Sequence, residues 1–236
     1  MEADTAEDRS RDIARIHFKV ISFMYEAGIK LAMRSVPLAT AATIYHKFFD
    51  CVDLEDYDPY LIAMTCLYLA GKNDENLIPG RDIINISYGC LHPEKPIIDM
   101  EPYWQLRESL VQCELLVIRM LNFQVTFQHP HKYLLHFMKS VKDWLEPDTF
   151  DKVPVAQTAW AILRDSYHAK TCLGLNPQHL AVAVLYMALQ SHGIDVPHSK
   201  NSQSTWWQSL CEDLSLREIR DIIKQIIEIY DLETSR

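Results

Sequence analysis

Glycine is scarce in this chain, with six among 236 residues. The two-residue alternation that is typical of half-buried strands is nearly absent, whereas apolar residues recur at helical spacing over long stretches. These absences argue against a sheet-based enzyme, and the sequence predicts an all-α fold. Helices are predicted over residues 13–33, 38–50, 59–72, 81–87, 102–121, 131–144, 155–169, 177–192, 205–210 and 216–230.

Basic charge is also lacking. The chain has 23 Lys and Arg against 32 Asp and Glu, which gives a formal net charge of −9. Phosphate contacts supply most non-specific affinity for nucleic acids, so binders of this class usually carry a basic excess or a basic stripe. Neither is present, and we expect no direct contact with nucleic acid. The acidic segment 2–12 is interpreted as a solvated, frayed chain end.

The six cysteines contain no CxxC pair. No apolar run approaches the ~20 residues that a membrane-spanning helix needs, and the first residues are polar and acidic, unlike a signal peptide. These features predict a reducing, intracellular setting, nuclear or cytoplasmic, without membrane contact. Cys66 and Cys113 fall within apolar helical patterns and are predicted to be buried free thiols.

Two segments recur later in the chain at nearly one spacing. Residues 36–42 resemble residues 153–159, which begin 117 positions further along, and residues 59–70 resemble residues 177–188, which begin 118 positions further along. Two separate helices therefore match in the same order. This pattern predicts an internal duplication, with two tandem lobes of about five helices each, spanning residues 12–128 and 129–232.

The third predicted helix of each lobe carries alanines seven residues apart. These are Ala63 and Ala70 in the first lobe, and Ala181 and Ala188 in the second. Positions seven apart share one helix face, and small side chains there let neighbouring helices approach closely. We expect this helix to be the central one in each lobe, with Asp58 as its cap in the first.

No pattern for nucleotide chemistry is complete. The segment 70–73, Ala-Gly-Lys-Asn, lacks the second glycine and the preceding strand of a phosphate loop. The sequence has no glycine-rich kinase loop, no His-Arg-Asp or Asp-Phe-Gly triplet and no Gly-x-Ser-x-Gly. We therefore expect no catalytic residue and no cofactor.

Patterns for metal binding or nucleophilic attack are equally incomplete. His129-Pro-His131 offers two nitrogen ligands without a third at a recognisable spacing, and it is interpreted as the start of a helix. Cys90 and His92 lack an orienting third group. The acidic loop 53–58 lacks the glycine and terminal glutamate of a calcium loop. We expect no metal site.

Trp206 and Trp207 are predicted to open a helix late in the second lobe. Adjacent residues lie about 100° apart on a helix, so the two rings cannot share a face. One ring is expected in the core. The other packs between the lobes or faces a partner, and the sequence leaves both alternatives open.

The first lobe resembles a cyclin box. Residues 67–75, Leu-Tyr-Leu-Ala-Gly-Lys-Asn-Asp-Glu, are similar to the family's Ala-Ala-Lys-x-Glu-Glu helix end, and residues 114–125 carry its Glu, Leu and Phe pattern. The segments 90–96 and 123–131 look like those of the transcription-type cyclins, the T, K and L groups. The resemblance covers roughly residues 12–232 and is more specific in the first lobe than in the second.

The resemblance implies a non-catalytic regulatory subunit. Such a subunit binds a cyclin-dependent kinase and holds its αC helix inward, where the αC glutamate pairs with the catalytic lysine. Within the branch, the implied assembly is a heterodimer with cyclin-dependent kinase 10. The resemblance also assigns site residues: Lys72 and Glu114 as polar anchors for backbone groups of the kinase, and Ile118, Phe123 and Val125 as apolar contacts.

The chain departs from the family pattern in places. Gly71 stands where the family has alanine, and Asn73-Asp74 replaces an apolar–acidic pair. The Met-Arg-Ala-Ile-Leu run with which cell-cycle cyclins dock substrates is absent, so recruitment by that route is not expected. Two other functions stay open: a non-catalytic helical transcription scaffold of the general-transcription-factor B type, and an enzyme with an unrecognised helical site.

Overall fold

The computed structural model describes residues 2–146, 149–150, 152–197 and 205–234. Over these residues the chain forms nine α-helices and no strand, so the predicted all-α fold is confirmed. Two short 3₁₀ helices, Ser166–His168 and Lys170–Gly174, follow the seventh α-helix. The α-helices are α1 (Glu2–Lys30), α2 (Ser35–Phe48), α3 (Pro59–Asn73), α4 (Gly80–Leu91), α5 (Met100–Met120), α6 (His131–Trp144), α7 (Val155–Asp165), α8 (Pro177–Ser191) and α9 (Leu216–Thr234).

The chain divides into two compact units between Phe127 and Gln128. We call the unit Met1–Phe127 lobe 1 and the unit Gln128–Arg236 lobe 2. Lobe 1 contains α1 to α5, and lobe 2 contains α6 to α9.

Helix α3 is the central helix of lobe 1. It packs against α1, α2, α4 and α5, and its residues Ala63 and Ala70 are fully buried. Pro59 occupies the first turn, and the Asp58 carboxylate accepts a 2.9 Å hydrogen bond from the Tyr60 N–H, so the expected cap is confirmed. The small side chains let the four neighbours approach this helix closely.

Helix α8 has the corresponding place in lobe 2. It packs against α6, α7 and α9, and Ala181 and Ala188 are fully buried. Pro177 again occupies the first turn, and the Asn176 side chain accepts a 2.9 Å hydrogen bond from the Gln178 N–H. The buried central helix predicted for each lobe is thus present in both.

The N-terminal helix is longer than predicted. Helix α1 begins at Glu2 rather than near residue 13, so the interpretation of segment 2–12 as a frayed end is wrong. Two of the first three residues of α1 in the sequence, Glu2 and Asp4, are acidic, a composition that favours helix at the positive end of the helix dipole. The side chains of residues 2–8 lie outside the description.

Two helical predictions in lobe 2 are also wrong. Helix α7 ends at Asp165 instead of continuing to residue 169, and the Ser166 hydroxyl bonds the Leu163 carbonyl at 2.7 Å where the chain tightens into 3₁₀ geometry. Residues 206–210 form turns rather than a helix. There the Gln208 side chain accepts hydrogen bonds from both the N–H and the hydroxyl of Thr205, which closes a local turn.

The cysteines that the structure describes are free thiols. Cys66 is fully buried as predicted, whereas Cys113 on α5 is only half-buried, so the prediction of a buried thiol is wrong for Cys113. The side chain of Cys172 lies outside the described residues. Within the described part of the chain, no helix combines the length and apolar character needed to cross a membrane.

Candidate functional site

Helix α3 ends in a Schellman turn that holds Lys72 in its last turn. The N–H of Asn76 donates to the carbonyl of Gly71 at 2.9 Å, and Glu75 adopts the left-handed region with φ of 52°. A Cβ on Gly71 would lie 2.9 Å from the Asn76 carbonyl oxygen. The glycine that departs from the family pattern therefore lets the chain fold back tightly over this helix end.

Helix α5 ends in the same type of turn. The N–H of Phe123 donates to the carbonyl of Ile118 at 2.9 Å, and both Asn122 (φ 49°) and Phe123 (φ 61°) are left-handed. Asparagine tolerates this region, but a bulky aromatic residue rarely adopts it. The Phe123 side chain is nevertheless 74% exposed. Backbone strain retained at an exposed aromatic residue is typical of functional surfaces.

An ion pair links the last turn of α3 to α5, six residues before α5 ends. Lys72 Nζ donates to Glu114 Oε1 at 2.6 Å and lies 4.0 Å from the ring centroid of Tyr68, one turn earlier on α3. The Glu114 side chain is 15% exposed and that of Lys72 is 43% exposed. The carboxylate is therefore partly desolvated and paired, as a glutamate among apolar neighbours requires.

The ion pair keeps Lys72 charged. Partial burial on its own lowers the pKa of Lys72, but hydrogen bonds to Glu114 and Tyr68 outweigh it, so the pKa is raised above its usual 10.5. An ammonium group carries three donors and a carboxylate has two oxygens. After the mutual bond, Lys72 retains donors and Glu114 retains an oxygen, so the pair can engage one carbonyl and one N–H of another backbone.

The five residues assigned from the sequence lie as follows. Lys72 and Glu114 touch, Ile118 follows Glu114 by one turn of α5, and a backbone hydrogen bond links Ile118 to Phe123. Val125 is half-buried two residues beyond Phe123. We call this set the anchor surface: Lys72, Glu114, Ile118, Phe123 and Val125.

Sequence reasoning missed two features of this region. Tyr68, whose ring lies beneath the Lys72 ammonium group, is visible in the sequence as an aromatic residue four positions before the lysine. The left-handed conformation of Phe123 has no such signal, because large aromatic residues rarely adopt it. Asn122, by contrast, is a residue type that adopts this conformation.

The surroundings of the candidate metal ligands and of the candidate nucleophilic cysteine do not favour either kind of chemistry. His129 and His131 are both buried, and His129 Nδ1 lies 2.9 Å from the Tyr167 hydroxyl. No group of three or more potential metal ligands occurs among the described residues. Partial burial raises the pKa of the Cys90 thiol, which disfavours the nucleophilic thiolate.

The tryptophan pair lies in a cluster of its own lobe. Tyr186 on α8 stacks on Trp206 with centroids 6.0 Å apart and meets Trp207 edge-on at 5.8 Å. Both tryptophans are half-buried, so the prediction that one would be a core residue is wrong. The turn, unlike a helix, lets both rings reach the same tyrosine.

Comparison with known proteins identifies the family. Residues 7–126, just over half of the chain, match the family described as "Cyclin, N-terminal domain". The chain is 29% identical over 215 residues to Cyclin-T1-4 of Arabidopsis thaliana, covering 89% of this chain and 38% of that protein. It is 27% identical over 220 residues to Cyclin-K of Danio rerio, covering 92% and 50%.

The fold agrees with that assignment. A chain in the crystal structure of the yeast RNA Pol II CTD kinase CTDK-1 complex superposes with a TM-score of 0.71 at 18% identity, covering 94% of this chain and 67% of that one. This chain spans half or less of the two curated relatives compared above. The matched N-terminal domain, the all-α fold and the transcription-type relatives together show that the chain belongs to the cyclin family.

Proposed function

We propose that this chain is the activating regulatory subunit of a cyclin-dependent kinase and has no catalytic activity of its own. The observation that carries the proposal is the Lys72–Glu114 ion pair, which links the last turn of α3 to α5, the helix that the exposed Phe123 follows. A preformed, partly exposed charge pair is suited to binding backbone groups at the end of a partner's helix.

The relatives support this proposal. The similar chain of known structure belongs to a kinase complex, and the relatives named above are cyclins of the T and K groups. We propose a heterodimer with a cyclin-dependent kinase, specifically cyclin-dependent kinase 10, in an intracellular setting that is nuclear, cytoplasmic or both. We propose further that residues 12–128 and 129–232 are two cyclin boxes. Contact with nucleic acid is not part of the proposed function, in keeping with the net charge of −9.

Activation would act on a conformational equilibrium of the kinase. The chain would bind the kinase more tightly when its αC helix lies inward, and the difference in affinity would set the active population. A shift from mostly inactive to mostly active needs about 5.5 kcal/mol of differential binding. Lys72 and Glu114 would supply directional hydrogen bonds, and Ile118, Phe123 and Val125 would supply apolar contact.

Charge reversal at the ion pair tests the proposal. In Glu114→Lys, two lysines would face each other on the anchor surface, and the acceptor offered to the kinase would be lost. We expect at least ~30-fold weaker binding to cyclin-dependent kinase 10, since breaking a hydrogen-bonded charge pair at an interface costs about 2–5 kcal/mol. Calorimetric titration would measure the affinity, and a phosphoryl-transfer assay would measure activation.

A matched control separates the site from general charge effects. Glu228→Lys makes the same charge change on the exposed side of α9 in lobe 2 and should leave affinity unchanged. Both variants should keep the wild-type helical circular dichroism. Tight kinase binding by a folded Glu114→Lys protein would contradict the assignment of the anchor surface. Phosphoryl transfer by the isolated chain would contradict the regulatory role.

A further inference from the structure

Helix α6 of lobe 2 carries a positive outer side in a chain that is acidic overall. The formal net charge of the chain is −9, yet the 14 residues of α6 include three lysines, Lys132, Lys139 and Lys142, against one acidic residue, Asp143. Lys132 and Lys139 are exposed, and neither forms an ion pair with any residue that the structure describes. Their charges are therefore available to a group from outside the chain.

The helical register brings these two lysines onto one patch with two other exposed residues. At 100° per residue, positions 132, 135, 136 and 139 fall within about 100° of one another around the helix. Lys132 and Lys139 lie at the two ends of the patch, about 10 Å apart along the axis, and Leu135 and His136 lie between them. Val141, which is fully buried, lies on the opposite side. We call residues 132, 135, 136 and 139 the α6 face.

The α6 face combines a charge that is held in place with an exposed apolar side chain. Lys132 Nζ lies 4.8 Å from the ring centroid of Tyr133, and this ring in turn stacks on Phe137 with centroids 6.3 Å apart. An ammonium group has three N–H donors, so contact with one ring leaves donors for a carboxylate. A side chain that is oriented before binding loses less conformational freedom on binding. Leu135, between the lysines, is 55% exposed.

We propose that the α6 face binds an acidic segment of a partner protein, one that presents two carboxylates about 10 Å apart with an apolar side chain between them. Lys132 and Lys139 pair with the carboxylates, and Leu135 contacts the apolar side chain. The occupant follows from complementary charge and from the position of the leucine between the lysines. The inference does not depend on the proposed function, because the α6 face lies in lobe 2 and the anchor surface in lobe 1.

The composition of α6 favours a protein segment over a nucleic acid as the occupant. Proteins that bind nucleic acid through its phosphates make about 6–10 such contacts, and α6 has three lysines. The aliphatic Leu135 gives no ring on which a base could stack. Charges more than about 8 Å away are largely screened at physiological salt. A short acidic segment on the α6 face is therefore attracted by its lysines, whereas a long polyanion also meets the acidic remainder of the chain.

A synthetic peptide tests the inference in the full chain. The probe is a fluorescein-labelled peptide of Glu-Leu-Ala-Glu repeats, in which carboxylates three residues apart lie about 10 Å from each other when the peptide is extended. Fluorescence anisotropy at about 0.15 M salt measures its binding. Lys132→Glu combined with Lys139→Glu should weaken binding at least about tenfold, and Leu135→Ser should weaken it about threefold. Circular dichroism checks that each variant is folded.

A matched double variant controls for net charge. Arg220→Glu combined with Lys224→Glu makes the same charge change at two exposed positions of α9, and it should leave the affinity for the peptide within about twofold. A second peptide, in which serine replaces leucine, should bind the wild-type chain more weakly than the first peptide does. The two peptides should bind Leu135→Ser equally, because the apolar contact is then already lost.

Four results would overturn the inference. The first is no binding of the leucine-containing peptide to the wild-type chain. The second is an equal loss in the two double variants, which would mean that net charge alone attracts the peptide. The third is equally tight binding of a single-stranded DNA oligonucleotide of the same charge, which would indicate a nucleic-acid site. The fourth is loss of kinase affinity in Lys132→Glu combined with Lys139→Glu, which would assign α6 to the kinase interface; we expect wild-type kinase affinity in this variant.

Discussion

The central helices of the two lobes, α3 and α8, begin alike but differ in the side chains that lie over their last turns. Each has a capping side chain and a proline in its first turn, and each buries a pair of alanines seven residues apart. The two chain segments that form them lie 118 positions apart in the sequence. The first turn and the buried face of each helix therefore have the same role, which is to form the centre of a helical bundle.

The last turns are used in opposite ways. Tyr68 in lobe 1 corresponds to Tyr186 in lobe 2. The ring of Tyr68 lies beneath the ammonium group of Lys72, whereas the ring of Tyr186 packs against Trp206 and Trp207 of its own lobe. In lobe 1 a charged side chain lies over this tyrosine, whereas in lobe 2 two aromatic rings of the same lobe pack against it. The two copies thus share the buried face of the central helix. They differ in the side chains that contact the tyrosine of its last turns.

Acid should destabilise lobe 2 more than lobe 1, and this is the largest difference in stability that we expect in the free chain. In lobe 2, His131 is 5% exposed, and its Nδ1 has no hydrogen-bond partner among the described residues. Burial, with a smaller contribution from His129, lowers the pKa of His131 to about 4 from its ordinary 6.5. Between these values the unfolded state binds the proton and the folded state does not, so stability falls as pH falls from 6.5 towards 4, by about 3 kcal/mol.

Tryptophan fluorescence can follow this loss, because four of the five tryptophans lie in lobe 2. His131→Phe should flatten the pH dependence of lobe 2 unfolding, whereas His136→Phe, an exposed position on the same helix, should leave it as in wild type. Hydrogen exchange should show lobe 1 still protected at a pH where lobe 2 has opened. An unchanged pH profile in His131→Phe would rule out this histidine as the cause.

Some of this architecture could be predicted from the sequence, and the reasons are physical. Helix α6 begins at His131 and ends at Trp144 as predicted, and α3 begins at Pro59, because local apolar periodicity and a capping proline specify these bounds. The end of α7 at Asp165 could not be read in this way, since tertiary packing of the following 3₁₀ turns overrides a helical pattern.

Part of the candidate site could also be predicted from the sequence, and part of it could not. The resemblance selected Lys72 and Glu114, which lie 42 positions apart in the chain and form a direct ion pair in the structure. Their roles towards a kinase remain predictions. The exposure of Trp104 on α5 carried no signal of its own, because the sequence pattern of the helix shows which face is apolar enough to be buried but not which apolar residues stay exposed.

The aromatic cluster of lobe 2 offers the next test of the contrast between the lobes. Trp206→Ala removes a stacked, half-buried ring and should destabilise lobe 2 by about 2 kcal/mol while leaving kinase affinity unchanged. Tyr68→Ala should do the reverse, weakening kinase binding with little change in the melting of lobe 2. Thermal unfolding and calorimetric titration would measure both. Loss of kinase binding in a stable Trp206→Ala protein would instead assign this tryptophan to a partner surface.

Substitution of the left-handed residue two positions beyond each central helix should change stability least, and it compares the two lobes at equivalent positions. Both helices end in a Schellman turn, with a left-handed Glu75 (φ 52°) after α3 and a left-handed Gly193 (φ 65°) after α8. Glycine adopts this region without a steric penalty, whereas a residue with a Cβ is strained there by about 1 kcal/mol. Glu75→Gly should therefore stabilise lobe 1, and Gly193→Ala should destabilise lobe 2, each by about 1 kcal/mol in urea unfolding. Open space surrounds the position where the new Cβ of Gly193→Ala would lie, so a loss of stability there would report backbone strain alone. If Glu75→Gly also weakens kinase binding, the strained turn helps to hold Lys72 in place, because the substitution leaves every anchor side chain intact.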